Sequence, residues 1–479
     1  MGAHLAAQVA GGLDRRAVRI GGGRVRGPRL VRALSRALGS AGARAAGRRL
    51  RAGRGSGGVA PAGASYVLLA FFVTWSCDTG AYAVGRTFGR RRPWALISPR
   101  KSLEGSIGRQ ALEVASRERD RMRVTALAAG HALDALCRQA LVFRPQALAL
   151  EQPDDPAAAR AALESASPGA SVWLGPGSAA RVAAECDADV VVNGIVGARG
   201  LAASLATLDA GRRLALANKE TLVVGGPLVQ AALARARGAD LIPVDSEHSA
   251  AFQCLAGRPP AEIARLTITA SGGALRDHAD WRRATREEVL AHPVWAMGRR
   301  ITVDSALLFN KGLELIEARW LFDLDWGRLS AVLHRQALVH AIVTFRDGSS
   351  VLQAARPDMR LPIQLAISWP DRWAEAVPAL DPEALGGLEF APIAAGRFPA
   401  FDLARAAGEA GGTAPCVLNA ADEVAVQAFL EGEISLGEVP DRVAEVLERH
   451  QPAPVESLAQ LEAVDANARA AARAAVVSR

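Results

Sequence analysis

No CxxC pair occurs in this sequence of 479 residues, and its five cysteines, Cys77, Cys137, Cys186, Cys254 and Cys416, are scattered and odd in number. That argues against a disulfide framework or a zinc knuckle and fits a reducing cytosol. The N-terminus lacks the basic–apolar–small layout of a secretory signal. Long apolar runs are missing too: Ser65-Tyr-Val-Leu-Leu-Ala-Phe-Phe-Val-Thr-Trp75 reaches bilayer length only if it is extended past Asp78 to Val84. Residues 1–60 contain no aromatic residue. A nucleic-acid surface pairs a basic face with aromatics that stack on bases, so no nucleic-acid partner is expected. Lysine is nearly absent while Ala, Arg and Gly abound, a compositional habit without a functional reading of its own.

What is present is ordinary in bulk and uneven in layout. Half of the residues are apolar and 22% are charged, as in a globular chain, and the length suits two to four domains. The formal charge of +8 hides a division. Residues 1–60 hold thirteen Arg against Asp14, a net of +12, and residues 61–109 add +5. Residues 110–479 therefore carry −9, and the body of the protein is acidic. The Gly/Arg/Ala-rich first sixty residues have no sustained periodicity and are expected to be mostly disordered.

From about Arg109 helix and strand patterns alternate. Asp189-Val-Val-Val-Asn-Gly reads as a short buried strand, Leu201–Ala210 as a helix, Arg213–Asn218 as a second strand, a helix follows Glu220, and Asp240–Asp245 is a third strand. This rhythm predicts a parallel, doubly wound sheet, which binds ligands beyond the carboxyl ends of its strands. Asn218-Lys219-Glu220 and Asp245-Ser246-Glu247 fall at those ends. Downstream, Thr267–Gly273 reads as a strand entering a Gly-rich turn, and Leu338–Phe345 with Ser350–Ala354 as a hairpin. Asn419–Leu430 and Val439–His450 read as amphipathic helices, and Val464–Arg469 opens a final one.

Several of these segments carry chemistry. Asp245, Glu247 and Glu314, without cysteine, suit a hard divalent cation such as Mg²⁺ or Mn²⁺. Solvated or helix-capping carboxylates are the ordinary alternative. Lys311 and Glu314 are three apart, so on a helix they share a face, either as a phosphate-and-metal pair or as a surface ion pair. Ser271-Gly272-Gly273 offers hydroxyl and backbone donors to a phosphate, or is a plain turn. His292-Pro-Val-Trp295-Ala-Met-Gly298 suits a lid that excludes water, or a loop pinned by its Trp.

Taken in order, the segments acquire an identity. Gly-Ser-Ile-Gly108, Ala-Asn218-Lys-Glu, Pro-Val-Asp245-Ser-Glu-His, Ser271-Gly-Gly, His292-Pro-x-Trp-x-Met-Gly, Val-Asp304-Ser305, Asn310-Lys-Gly-Leu-Glu-x-Ile-Glu-Ala-Arg-Trp320, Asp358-Met-Arg-x-Pro-Ile363, Leu418-Asn-Ala-Ala-x-Glu423 and Val464-Asp-Ala-Asn-Ala-Arg469 resemble the 1-deoxy-D-xylulose 5-phosphate reductoisomerase family over roughly residues 105–479. The resemblance implies a cytoplasmic, homodimeric enzyme of the non-mevalonate isoprenoid pathway, using NADPH and one divalent cation (Mn, Mg or Co) on a sugar phosphate. It implies an α/β fold: a Rossmann-like NADPH domain over 105–244, an α+β catalytic domain over 245–395 and a helical domain over 396–479. Asp245, Glu247 and Glu314 are then the metal ligands. Lys219, Glu220 and His292 join them as catalytic residues. Ser246, Lys219, Ser271, His292, Trp295, Ser305, Asn310, Lys311 and Glu314 hold the substrate. Gly105, Ser106, Ile107, Gly130, Asn218, Glu220 and Gly298 line the cofactor site.

The match frays at its start. Where the family has a strand and then Gly-x-Thr-Gly-Ser-Ile-Gly, this chain has Ser98-Pro-Arg-Lys101 and Ser102-Leu-Glu104-Gly-Ser-Ile-Gly108. A proline removes a bond from a central strand, and a carboxylate repels a pyrophosphate where helix amides attract it. After Gly130 the family's Lys-Asn reads His131-Ala132. Upstream, Trp75-Ser-Cys-Asp-Thr-Gly-Ala-Tyr82, Gly85-Arg-x-Phe-Gly89 and Ile97–Gly105 resemble a late segment of phosphatidate cytidylyltransferase, an integral membrane enzyme, over residues 61–104. The two resemblances meet at Glu104–Gly108, which implies a fusion of two coding sequences. Weak NADPH binding in an impaired chimera follows as one alternative, and a membrane tether through residues 65–84 as another.

Overall fold

The structure, a computed structural model, describes residues 18–20, 23–25, 66–72 and 106–477, apart from Ala296 and Glu375. Two units divide the chain, residues 1–63 and 64–479. In the first, β1 (Val18–Ile20) and β2 (Gly23–Val25) pair antiparallel, within a stretch expected to be mostly disordered.

The second unit begins with β3 (Tyr66–Phe72), α1 (Ser106–Arg117), β4 (Met122–Ala129), α2 (Leu133–Phe143), β5 (Ala147–Leu150), α3 (Pro156–Ala166), β6 (Ser171–Leu174), α4 (Ser178–Glu185), β7 (Val190–Asn193), α5 (Gly200–Asp209), β8 (Arg213–Leu216), α6 (Glu220–Arg235) and β9 (Asp240–Pro243). The strands form one seven-stranded parallel sheet in the order β6-β5-β4-β3-β7-β8-β9. The letters of β5 (Ala-Leu-Ala-Leu) and β7 (Val-Val-Val-Asn) are buried throughout. Helices cover both faces of a parallel sheet, so its strands carry no polar face.

The middle strand comes from an unexpected place. Tyr66–Phe72 pairs with β4 from Tyr66↔Met122 to Phe72↔Ala129, and with β7 from Leu68↔Val190 to Ala70↔Val192. The first-strand position, expected to fall to Ser98–Lys101, is filled from further upstream. An apolar run without proline donates and accepts on both sides, as a central strand must. The run weighed above as part of a membrane tether is thus a sheet strand. Among the described residues no helix is long and apolar enough to cross a membrane. Residues 73–105, including Asp78–Val84, Ser98–Glu104 and Gly105, lie outside the described residues.

Next come α7 (Ser246–Leu255), β10 (Ile263–Ala270), α8 (Arg286–Leu290), α9 (Arg299–Ala306), α10 (Phe309–Leu321), β11 (Leu329–Leu333), β12 (Val339–Phe345), β13 (Ser350–Ala354), α11 (Arg360–Ser368) and β14 (Ala391–Pro392). Their strands form a second sheet, β13-β12-β10-β11-β14, in which the expected hairpin is β12–β13. β10 starts four residues earlier than its sequence signal.

Four helices close the chain: α12 (Pro399–Ala410), α13 (Ala414–Glu431), α14 (Glu438–Glu448) and α15 (Leu458–Val477). α13 starts ahead of Asn419 and is buried nearly all round instead of on one face, because Ala420, Ala421 and Ala425 let neighbours approach from every side. α15 starts ahead of Val464. One apolar core joins Leu201 of α5, Leu222 of α6, Phe309 of α10, Val426 of α13 and Leu461 of α15. The C-terminal helices are therefore packed directly against the elements that carry the site.

Candidate active site

A cavity of about 430 Å³ opens at the carboxyl ends of β8 and β9 and is walled by α1, α9, α10 and the turn after β10. At the end of β9 the chain turns straight into α7. Asp245 caps that helix by accepting the Glu247 N–H at 3.3 Å, so the capping role weighed above and a role in the cavity coexist in one carboxylate. Carboxylate oxygens of Asp245, Glu247 and Glu314 lie within 4.8 Å of one another.

Two cations are set among these three acids. Lys219 Nζ donates to Asp245 Oδ2 at 2.8 Å and to Glu314 Oε1 at 2.9 Å. Lys311, one helical turn before Glu314, donates to that carboxylate and lies 3.5 Å from Glu247 Oε1. Asn310 Nδ2 donates to Glu314 Oε1 at 2.5 Å, and Ser246 Oγ to Glu247 Oε2 at 2.7 Å. Burial opposes charge on Asp245 and Glu247, but Lys219 beside the first and Lys311 beside the second hold both below their ordinary range. Burial and then the Asp245 charge raise Glu314. Lys219 is held well above its ordinary value despite burial, by Asp245, Glu314 and Glu317.

A second trio, Asp245, His248 and Glu317, also gathers within 4.8 Å, but its His248 and Glu317 are not part of the cavity lining. His248 is fully buried; its Nδ1 lies 3.1 Å from Asp245 Oδ1 and 3.2 Å from Glu317 Oε2, and its Nε2 lies 2.9 Å from the Glu314 carbonyl. With both ring nitrogens engaged, this trio braces Asp245 and is not an open ligand set. Burial raises Glu317 to about 8.

The opposite pole is built from hydroxyls. After β10 the chain passes through Gly272 (φ 83°) and Gly273 (φ 63°), and a Cβ on Gly273 would stand 2.6 Å from the Ser305 carbonyl. Only glycine lets this turn lie against α9. Ser271 Oγ and Ser305 Oγ each lie 3.2 Å from His292 Nε2. His292 Nδ1 accepts the N–H groups of Val294 (3.2 Å) and Trp295 (2.9 Å), which leaves the ring proton on Nε2. Burial and then Arg276 push this histidine down to about 4, so it is neutral at pH 7. Val294, Trp295 and Met297 line the cavity, with the Trp295 ring 6.5 Å from that of His340.

The residues expected to line a cofactor site are placed unevenly. Ile107 of α1 faces the cavity, and Gly298 caps α9 at its edge. Asn218 also borders it, but its carboxamide is turned inward: Nδ2 donates to the Gly197 carbonyl (3.0 Å) and Glu220 Oε2 (2.9 Å), while Oδ1 accepts from Thr221. Glu220 borders the cavity too, and its carboxylate accepts the Gly197 N–H and faces Arg300. Gly130 directly follows β4, and its carbonyl accepts the Gln152 N–H, apart from the cavity lining. Ser106 is the first residue of α1; Gly105 lies outside the described residues.

Sequence reasoning quoted His248 and Glu317 within matched motifs without giving either a role, and passed over His340 and Arg300. The first two had a local signal, each three residues after a proposed ligand on a helix. His340 Nδ1, 3.7 Å from Glu247 Oε1, and Arg300, beside Glu220, arrive from distant elements and had none.

The sequence matches the family profiles of 1-deoxy-D-xylulose 5-phosphate reductoisomerase over residues 103–226, of that enzyme's C-terminal domain over 241–322, and of the DXP reductoisomerase C-terminal domain over 354–471. A profile of the cytidylyltransferase family matches residues 58–116 and so overlaps the first. The 1-deoxy-D-xylulose 5-phosphate reductoisomerase of Thermomicrobium roseum is 49% identical over 374 residues, 77% of this chain and 94% of that one. The enzyme of Symbiobacterium thermophilum is 47% identical over 371 residues, 77% of this chain and 96% of that one. Among solved structures, the Zymomonas mobilis reductoisomerase in complex with NADPH aligns with a TM-score of 0.74 at 32% identity, covering 87% of this chain and all of that one. A DOX-P reductoisomerase with NADPH, fosmidomycin and magnesium aligns at 0.73 and 32% identity, covering 86% of this chain and 98% of that one.

Proposed function

The chain belongs to the 1-deoxy-D-xylulose 5-phosphate reductoisomerase family, and from this we propose that it converts 1-deoxy-D-xylulose 5-phosphate to 2-C-methyl-D-erythritol 4-phosphate with NADPH and a divalent cation. The observation that carries the reading is the set of three carboxylates within 4.8 Å, opening on one cavity with Lys219 and Lys311 among them. All-oxygen donors fit Mg²⁺ or Mn²⁺. Three acids and two ammonium groups leave one negative charge, and a divalent ion turns that to a positive one, which favours a phosphorylated substrate.

Asp245, Glu247 and Glu314 would hold the cation, which when bound supplies Lewis-acid polarisation of the substrate's carbonyl and hydroxyl oxygens. Lys219 leaves its two carboxylates to meet the sugar backbone beside Ser246. Ser271, Ser305, Asn310 and Lys311 bind the phosphate, with the His292 N–H keeping the two hydroxyls together. Trp295 closes over the cavity and excludes water. Asn218 and Glu220 act by holding the strand end in shape. The same reading takes the protein to be a cytoplasmic homodimer.

The overlap of the two family matches over residues 103–116 supports a fusion of coding sequences. Because β3 fills the first-strand position, the case for an impaired chimera now rests on Ser102, Glu104 and the His131-Ala132 pair, and we favour an active enzyme. The test is turnover of 1-deoxy-D-xylulose 5-phosphate by the purified full chain with Mn²⁺, alongside NADPH titration by fluorescence. Turnover supports the reading. Mn²⁺ binding without NADPH binding replaces it with the impaired chimera.

A further inference from the structure

One buried charge cluster touches neither the three acids nor the hydroxyl pole. Arg300, in the first turn of α9, lies between four carboxylates from three helices. Its Nη1 is 3.0 Å from Glu423 Oε1 and 3.5 Å from Glu220 Oε1; its Nε is 3.6 Å from Asp304 Oδ2, and its Nη2 3.9 Å from Asp422 Oδ2. Nη2 also donates to Asn419 Oδ1 at 3.5 Å. Glu423 is itself fixed from the far side: Arg469 of α15 donates to its Oε2 at 2.7 Å, and Asn419 Nδ2 to its Oε1 at 3.1 Å.

Glu423 and Glu220 also clasp a cavity wall. The Gly197 N–H donates to Glu220 Oε1 at 3.2 Å. On its other side a Cβ at Gly197 (φ 77°) would stand 2.8 Å from Glu423 Oε1, so the loop after β7 rests on that carboxylate. Gly194, Ile195 and Val196 of this loop line the cavity. Arg300 follows the Trp295–Gly298 segment by two residues, and Glu220 follows Lys219 by one. Three walls thus converge on one guanidinium held by the C-terminal helices.

We propose that Arg300 and Glu423 are positioning residues, through which α13 and α15 set the cavity walls at residues 194–198, 218–220 and 294–298. This rests on the reading of that cavity as the active site. The physical reason is that a guanidinium deep in protein keeps its partners only while the charges around it are complete. Removing the Glu423 charge frees Arg300 from its anchored side, and the walls that share Arg300 loosen together.

The test is hydrogen exchange on the full chain without substrate or cofactor, comparing the wild type with Glu423→Gln, Glu423→Asp, Arg300→Lys and Arg300→Met. In Glu423→Gln and Arg300→Met, amides in peptides over the three walls are expected to exchange about tenfold faster or more, while those of α10 around Glu314 do not change. Mn²⁺ affinity stays within about twofold, because Asp245, Glu247 and Glu314 are untouched. Arg300→Lys and Glu423→Asp keep the charges and give smaller increases at the same walls; should Glu423→Gln fail to fold, Glu423→Asp carries the test. Unchanged exchange at the walls overturns the proposal. So does acceleration spread evenly over the chain, or a fall in Mn²⁺ affinity that keeps step with it. No readout requires turnover, so failure here is distinct from an inactive wild type, which would sink the proposed reaction instead.

Discussion

Lys219 and Asp245 form an ion pair of 2.8 Å at a depth where neither side chain is more than 13% exposed. The chain contains only three lysines, at 101, 219 and 311, and two of them stand against the carboxylate trio. Lys219 Nζ faces two of the oxygens proposed to hold the cation, so ammonium and metal compete for them. Lys219→Met is expected to bind Mn²⁺ at least as tightly as the wild type while turnover falls by a factor on the order of 100 or more, the scale of a lost catalytic group. Calorimetric Mn²⁺ titration beside a steady-state assay checks this, and weaker Mn²⁺ binding in the variant counts against the competition.

Glu314→Gln tests the ligand set itself. The substitution keeps the shape and the bond to Asn310 is lost or reversed, but one of three anionic donors is gone. Mn²⁺ affinity is expected to fall roughly 100-fold, and thermal stability without metal to fall as well, because buried Lys219 and Lys311 each lose a partner. Electron paramagnetic resonance of free Mn²⁺ reads the affinity directly. An unchanged affinity removes Glu314 from the ligand set.

His292 carries a pH signature of known sign. Its folded value, about 4, lies below its ordinary 6.5. The unfolded chain therefore takes up a proton first as pH falls, and the stability that His292 contributes is complete above about 6.5 and lost on the way down to about 4. His292→Gln lacks this loss. The difference in melting temperature between wild type and variant should be constant above pH 7 and shrink on acidification; a difference independent of pH contradicts the neutral, Nε2-protonated ring.

Removing residues 1–64 should leave the second unit folded, whereas removing residues 1–73 takes β3 from between β4 and β7. The second truncation is expected to cost on the order of 5 kcal/mol or more, comparable to the whole stability of many domains. Urea melts of both proteins decide it. Equal stability of the two would mean that the sheet does not depend on this strand.

Glu104→Thr removes a carboxylate next to the start of α1. NADPH affinity is expected to rise roughly three- to tenfold, more at low salt, as for a charge near a helix N-terminus. Fluorescence titration at two salt concentrations measures both effects, and an affinity that does not change releases Glu104 from its supposed repulsion.

Much of the site was legible in the sequence because its parts sit at strand ends and helix starts. Asp245 lies at the carboxyl end of β9 and Lys219 at that of β8, and Lys311 and Glu314 share a helical turn, all from local periodicity. What escaped depends on packing between distant elements. Asn218 and Glu220, expected at the cofactor site and Glu220 also as a catalytic residue, do border the cavity, but their side-chain bonds to Gly197 and Arg300 were not announced by any spacing. α13 looked amphipathic because Asn419, Asp422 and Glu423 break its apolar run, but two of those three are wholly buried and the third is engaged by Arg300 and Arg469. Tyr66–Phe72 was visible as an apolar run, but an apolar run of that length does not name its neighbours.

The placement of β3 also bears on how the chain assembles. β4 to β6 on one side and β7 to β9 on the other are each built from successive strand–helix–strand crossovers and can begin to form from near neighbours. β3 joins the two halves, and its partner in β7 lies more than a hundred residues along the chain. Closing the sheet is therefore a long-range event that waits for both halves, and the interval before it exposes two unpaired strand edges to other chains. For this protein the hazard of misassembly is concentrated in one seven-residue segment and in the moment at which it is threaded into place.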